Sequence, residues 1–398
     1  MKLDEARMAA SPEGLALLAV LPKFGAAHAL AVGADLRARG FAPALVAAAM
    51  TQARLRERAA QRFGEFAAGM LFTPEGLEQA TRLAVAGHHA RRFRNAGART
   101  VADLTCGIGA DAMALSALGI AVVAFEIDEA TATLADYNLR HWEASVVVHA
   151  NGMQTVPDTA VDAVFADPSR RLLGGSAHAR RLNRPEDYEP PLPAILDLRD
   201  QFPALGIKVG PGIHHSALPR DAETQWVSVD GEVVEAGIWC GPLASHAGRG
   251  ALVIVGEAAH PLLASGVHAT TGPMGDFLYE PDGACIRAGL VGEVAKLLGA
   301  RLLDSSIAYV TADSWRPTPF AHAYRILDNL PFGVKALRAY LRERGVGRVT
   351  IKKRGTAVTP EVLRPQLDLR GDGEATIILT RVAGAQRALV VEPIREVG

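Results

Sequence analysis

Three acids at instructive positions carry the chemistry of this sequence. Asp103 lies in Val101-Ala102-Asp103-Leu104-Thr105-Cys106-Gly107-Ile108-Gly109-Ala110-Asp111, ahead of a glycine turn. Glu126 follows that turn by about 20 residues, the spacing of a ribose-binding acid. Asp167 opens Asp167-Pro168-Ser169-Arg170-Arg171. Glycines at 107 and 109 let the main chain come within contact distance of a ligand, because no Cβ stands in the way. A helix starting behind them offers unpaired N–H groups to the ligand's polar atoms. An acid at the end of the next strand can take both hydroxyls of a ribose.

Two ligands fit that pattern. Gly107, Gly109 and Ala112 spell G-x-G-x-x-A, the weak fingerprint of a dinucleotide site. The alternative is S-adenosylmethionine, bound as in a class I methyltransferase. Asp103 separates them: its carboxylate would attract the cationic amino group of methionine and repel a pyrophosphate. The methyl donor is therefore favoured, with Asp103, Thr105, Cys106, Gly107, Gly109, Glu126, Ile127 and Asn151 as its candidate contacts. The plain alternative is a structural strand–turn–helix junction with no ligand.

The elements that must hold these groups follow from periodicity. Val101 to Leu104 reads as a buried strand end. Met113, Leu115 and Leu118 recur at helical spacing. Ile120 to Ile127 is almost wholly apolar, as a strand covered on both faces should be. Asp128 suits the cap of a helix over 129–140. Val146 to His149 is a third strand, and Asn151 after it either meets the adenine edge or makes an ordinary Asn-Gly turn. Val161 to Phe165 is a fourth strand. Alternating strands and helices imply right-handed crossovers and a parallel sheet. Ligands bind beyond the carboxyl ends of such strands, so Asp167 should land beside the glycine turn.

Asp167 could then accept a proton or hydrogen bond from a nucleophile. Pro168 fixes the turn. Arg170 and Arg171 could hold a phosphate, and Arg180, Arg181 and Arg184 extend an acid-free basic stretch that is otherwise a surface loop. Gly206 to Gly212 is a fifth strand and its turn; Lys208 within it is a candidate buried partner for Asp167. Residues 225–240 read as a hairpin turning at Asp230-Gly231, and 251–255 as another strand.

These two motifs, with Phe72-Thr73-Pro74-Glu75 upstream, resemble the class I S-adenosylmethionine-dependent RNA methyltransferases. The layout is similar to the trimethylguanosine synthase group, which places a T-P-E segment before its glycine turn. That group has S-P-P-W where this chain has Asp167-Pro168-Ser169-Arg170, so the tryptophan that stacks on a cap base is missing. Asp167-Pro168 is closer to the D-P-P-x motifs of enzymes acting on base nitrogens, which implies Asp167 and Pro168 as catalytic residues. Carbon-5 enzymes need a nucleophilic cysteine; Cys240, in an apolar strand, reads as core. The stretch 346–355 resembles the THUMP-like C-terminal domain found behind bacterial methyltransferases, which implies RNA delivery.

The rest of the chain frames this site. Residues 1–95 read as a helical domain. Ser11-Pro12-Glu13 is a helix start, 25–39 and 43–62 are further helices, and one helix runs from the Thr73 cap to about Phe93. Residues 96–256 read as the methyltransferase domain, and 257–314 as a connecting segment with loop at 260–275, a helix over 286–300 and a short strand at 307–310. Residues 315–398 form a small α/β THUMP-like domain. From Lys335 to Arg354 eight basic residues face one acid, Glu343, which suggests a phosphate-binding face; Lys352, Lys353 and Arg354 are its candidate contacts. Solvated charge along a strand edge is the alternative.

The expected fold is therefore α/β: a Rossmann-like class I methyltransferase sheet, an N-terminal helical domain and a C-terminal THUMP-like module. The chain has 398 residues and a formal net charge of −1, so any nucleic-acid surface must be local. Cys106, Cys240 and Cys285 are too scattered for a disulfide framework or zinc site, which fits a cytoplasmic protein without metal. No apolar run spans a membrane and no signal-peptide layout is present. The expected activity is S-adenosylmethionine-dependent methylation of a base nitrogen in structured RNA. Its rivals are methylation of a small molecule or protein, or silent RNA binding.

Overall fold

The computed structural model describes residues 1–21, 25–170 and 184–394. The chain divides into two compact units, one of Met1–Glu223 with Gly237–Ala247, the other of Thr224–Ala236 with Gly248–Gly398.

The first unit begins with helices α1 (Leu3–Ala10), α2 (Pro12–Val20), α3 (Ala29–Ala38) and α4 (Pro43–Phe63). Ser11 caps α2 as its Ser-Pro sequence requires, its Oγ accepting from Gly14 N at 3.0 Å. The helix expected to run from Thr73 to Phe93 is instead two, α5 (Pro74–Gln79) and α6 (Leu83–Asn95). The backbone turns extended at Ala80, and the Thr81 side chain is buried against polar partners that a continuous helix could not deliver to it.

Parallel strands follow: β1 (Thr100–Asp103), β2 (Ala121–Glu126), β3 (Val146–His149) and β4 (Ala163–Ala166). Helices α7 (Ala110–Ala117), α8 (Glu129–Leu139) and the single turn α9 (Gly152–Thr155) connect them. A two-residue pair, β5 (Ser169–Arg170) and β6 (Tyr188–Glu189), precedes α10 (Leu192–Asp197) and β7 (Leu205–Val209). The order across this unit is β7–β4–β1–β2–β3. The chain grows one way from β1 to β3 and the other way through β4 and β7, so the strand order reverses at β1. In open parallel sheets that is where a ligand crevice forms.

The helical segment is built into this unit rather than standing apart from it. Asn138 of α8 donates to Leu71 O and Ile108 O, at 2.9 and 2.8 Å, and accepts from Leu71 N. Gln52 of α4 pairs both amide groups with the backbone of Phe72. These buried side chains fix Leu71-Phe72-Thr73 against the glycine turn.

The second unit contains β8 (Glu223–Val229) and β9 (Glu232–Trp239) but for their outer ends, then β10 (Gly248–Val255) and β11 (Ala258–Leu263). Asp230 and Gly231 make the expected turn, both with positive φ. Residues 258–263, expected at their C-terminal half to be loop, pair antiparallel with β10. Next come β12 (Phe277–Pro281), α11 (Gly283–Ala288), α12 (Val291–Leu298), β13 (Arg301–Asp304) and β14 (Ile307–Ala312). The helix expected over 286–300 breaks at Gly289, which takes a left-handed conformation. The chain ends in β15 (Ala321–Pro331), α13 (Val334–Glu343), β16 (Val346–Lys353), α14 (Pro360–Leu363), β17 (Gly373–Val382) and β18 (Ala385–Pro393). The sheet order is β13–β14–β12–β15–β18–β17–β16. The expected connecting segment therefore supplies three strands to the sheet of the C-terminal module.

Candidate active site

A cavity of about 740 Å³ opens at the carboxyl ends of β1, β2 and β4, lined by Thr73, Thr105, Gly107, Glu126, Asn151 and Asp167 among others. The glycine turn makes its floor. Gly107 and Gly109 have φ of +55° and +86°, a conformation that side chains resist, and nothing stands where a Cβ of Gly107 would be. Gly107 N donates to Glu126 Oε2 at 3.0 Å, and Asp128 N donates to Glu126 Oε1 at 2.9 Å. Both carboxylate oxygens are thus oriented before any ligand arrives. Thr73, placed by Gln52 and Asn138 through its neighbours, brings the N-terminal segment into the wall.

The other expected donor contacts divide. Asp103 lies beneath the turn, 1% exposed, with Thr105 N donating to its Oδ1 at 3.3 Å. Ile127 is exposed at the lip of the cavity. Cys106 points into the core, its Sγ 3.6 Å from Gly107 O, so only its backbone belongs to the turn. Asn151 caps α9, its Oδ1 accepting from Met153 N at 3.1 Å. Asp128 caps α8, accepting from Thr131 N at 2.8 Å.

The acids differ electrostatically. Burial pushes the Asp103 carboxyl well above the ordinary range, and the charges of Asp111, Asp167 and Glu126 add to that. Burial also raises Glu126, although the Asp128 and Gly107 N–H groups oppose it. The donor set suits S-adenosylmethionine: a ribose at the oriented Glu126 carboxylate, and a positive amino group near the acidic cluster containing Asp103, whose charge it would compensate. The cavity is large enough for such a ligand.

Asp167 lines the same cavity. Its N–H donates to Thr105 Oγ1 at 2.8 Å, which ties the ends of β1 and β4 together. Lys208 of β7 donates to Asp167 Oδ2, so these two residues pair as their order along the sheet suggested. Pro168 is buried behind them, and Ser169–Arg170 pairs with Tyr188–Glu189. Arg171, Arg180 and Arg181 lie outside the described residues. Thr81, His89 and Asp111 stand behind Lys208; the sequence suggests no role for Thr81 or Asp111, and His89, which reads as helix-end charge or a phosphate contact, is instead buried. Asp111 closes the quoted turn motif, but nothing in one sequence says that α6 carries a histidine to meet it.

The basic stretch of the second unit is more balanced than its sequence. Lys352 Nζ donates to Glu280 Oε2 at 2.6 Å, and Arg354 lies 4.0 Å from Glu280 Oε1 and over the Tyr309 ring. Arg348 pairs with Glu374 at 2.6 Å and Arg344 approaches Asp328. These acids come from β12, β15 and β17, far away in sequence. Of the three expected contacts Lys353 is exposed, while Lys352 and Arg354 are half-buried.

Among the described residues no cluster of three or more His, Cys, Asp or Glu could hold a metal ion, and no helix is long and apolar enough to cross a membrane.

Comparison with known proteins agrees with the fold. The chain is 34% identical over 338 residues to an uncharacterized S-adenosylmethionine-dependent methyltransferase of Mycobacterium tuberculosis, found in two strains, covering 82% of this chain and 90% of the relative. It superposes with a TM-score of 0.75 on a crystal structure from Porphyromonas gingivalis W83 assigned to a methyltransferase, at 21% identity, covering 99% of this chain and 98% of the other. Residues 321–393 match a family described as THUMP domain-like, and residues 2–59 a domain of unknown function. The chain belongs to the S-adenosylmethionine-dependent methyltransferases. Its cofactor is S-adenosylmethionine, and its fold is a class I methyltransferase sheet with a THUMP-like C-terminal module.

Proposed function

We propose that this enzyme methylates a base nitrogen of structured RNA. The observation that carries the reading is Asp167, at the rim of the donor cavity in the Asp-Pro turn after β4, paired to Lys208. S-adenosylmethionine, when bound, supplies a methyl group activated by its sulfonium. Glu126 and Asp103 would hold it, with Thr105, Gly107, Gly109 and Ile127 forming the surrounding turn and lip, and Asn151 offering its amide edge. Asp167 would accept a hydrogen bond from the amine to be methylated, orienting its lone pair for in-line attack. Alignment of this kind supplies several kcal/mol. Pro168 would hold the backbone of that turn in place. A base must be unstacked to enter, which favours loops or flipped positions. Arg170, Arg171 and Lys353 would meet phosphates, with Lys352 and Arg354 contributing through a face they share with Glu280. The THUMP-like module supports RNA as the substrate class.

A second reading, methylation of a small molecule or protein, is favoured by the pairing of Arg344, Arg348, Lys352 and Arg354, half of the basic stretch, with acids. One assay separates them. Purified protein is incubated with methyl-labelled S-adenosylmethionine and total bacterial RNA or RNA-free extract, and labelled RNA is digested to nucleosides. An N-methylated nucleoside supports the RNA reading. Label only in the protein or small-molecule fraction would replace it with the second.

A further inference from the structure

Behind the Asp167–Lys208 pair runs a line of buried polar side chains that the donor site does not use. Lys208 Nζ, besides Asp167, donates to Thr81 Oγ1 at 2.9 Å. Thr81 Oγ1 donates to Asp111 Oδ2 at 2.6 Å, and Asp111 Oδ1 lies 2.8 Å from His89 Nδ1. Thr81, His89 and Asp111 are all buried. They come from the break between α5 and α6, from α6 and from α7, so three stretches of chain supply one hydrogen-bonded line that ends at the ammonium.

Burial alone would raise Asp111. The hydrogen bond and charge of His89, with smaller help from Lys208 and Thr81, instead hold it below the ordinary carboxylate range. The hydrogen-bond polarity of the line follows. An ionised carboxylate only accepts and an ammonium only donates, so Thr81 must accept from Lys208 and donate to Asp111. The hydroxyl has one hydrogen and cannot serve both neighbours in any other sense. Lys208 is thereby held from behind while it holds Asp167 in front. The His89 ring is packed 5.5 Å from Phe165 and 5.3 Å from Trp239, centre to centre, which anchors the far end. Burying so many polar groups is costly unless every one is satisfied, and a satisfied buried network is rigid.

We propose that Thr81 and Asp111 are positioning residues for methyl transfer: they fix the Lys208 ammonium, and through it the Asp167 carboxylate, where the nucleophile is presented. This rests on the reading of Asp167 given above. Rigidity matters here because a displacement of about 1 Å at a reacting group can cost on the order of 100-fold in rate.

The test uses Thr81→Val, which removes the hydroxyl at nearly constant shape, and Thr81→Ser, which restores it. If the valine variant does not fold, Thr81→Ala replaces it. Three quantities are measured on the full chain: S-adenosylhomocysteine affinity by calorimetry, methyl transfer to total RNA at saturating donor, and the crystal structure of each variant. The expected result for Thr81→Val is unchanged affinity, a rate lower by on the order of 10–100-fold, and a Lys208–Asp167 pair displaced from its present geometry. Thr81→Ser should recover both rate and geometry. A wild-type rate in Thr81→Val, or no recovery in Thr81→Ser, would overturn the proposal. Should the wild-type enzyme transfer no methyl to RNA, the substrate reading fails and the structures decide alone: an unmoved Lys208–Asp167 pair in Thr81→Val would refute the positioning role.

Discussion

Replacing Asp103 by asparagine should make the ligand-free protein more stable and the donor complex weaker. The two effects have one origin. Asp103 is 1% exposed, and burial together with Asp111, Asp167 and Glu126 raises its carboxyl well above the usual range. For a group whose folded pKa exceeds its unfolded one, the folded state holds the extra proton. Stability then falls as pH rises from the unfolded value toward the folded one. Asparagine removes that penalty, so the melting temperature of Asp103→Asn should exceed that of wild type at neutral pH. A cationic amino group arriving beside the carboxylate reverses the situation. At about 4 Å and an effective dielectric near 20 the attraction is about 4 kcal/mol before desolvation. A charge-assisted hydrogen bond nets about 1.5–3 kcal/mol, so the asparagine variant should bind S-adenosylhomocysteine roughly 10–100-fold more weakly. Binding to wild type should also expel the Asp103 proton. Affinity then rises with pH until the free carboxyl is ionised, and calorimetric enthalpy depends on the buffer's ionisation enthalpy. Asp103→Asn should lose that dependence. Unchanged affinity together with a lower melting temperature would show that Asp103 neither destabilises the free protein nor meets the amino group.

Other outcomes follow from the same geometry. Glu126→Gln replaces one oxygen that accepts from Gly107 or Asp128 with a donor, and should weaken S-adenosylhomocysteine binding about 10-fold, read by calorimetry. Asp167→Ala should leave that affinity nearly intact while methyl transfer falls by on the order of 100-fold or more. Lys353→Ala should lower the slope of log affinity against log salt for RNA by about 1, whereas Lys352→Ala, whose ammonium is tied to Glu280, should change it less. Glu223→Gln removes the buried charge opposite the Arg92 guanidinium, which keeps Leu243 O and the Trp239 face, and should cost about 1.5–3 kcal/mol in urea unfolding. Burial alone would raise the Glu223 carboxyl, but Arg92 and Ser245 hold it below its ordinary value, so this stabilisation is present above the unfolded pKa and lost as pH falls through the folded one.

Local chemistry was readable in the sequence where it is written locally. The glycine turn, the acid at the end of β2, the Asp128 and Ser11 caps and the Asp230-Gly231 hairpin each depend on neighbours in the chain. The Lys208–Asp167 pair was legible too, because adjacent parallel strands bring their carboxyl ends together. Contacts that depend on distant packing were not. The break at Ala80 exists because Thr81 reaches Asp111 and Lys208, neither close in sequence. The charge of 335–354 looked unopposed because Glu280, Asp328 and Glu374 arrive from other strands. Strand β14 is legible as the apolar run from Ile307, but β12 and β13 are not, in part because Arg301–Asp304 is short and becomes a strand by pairing.

All of these outcomes depend on delivery of the methyl group from the cavity at the ends of β1, β2 and β4. A crystal structure of the protein with S-adenosylhomocysteine tests it most directly. The ribose hydroxyls should lie on the Glu126 carboxylate, the amino group on the Asp103 side of the turn, and the sulfur should point toward Asp167. A ligand bound elsewhere, or bound here with its sulfur turned away from Asp167, would contradict it.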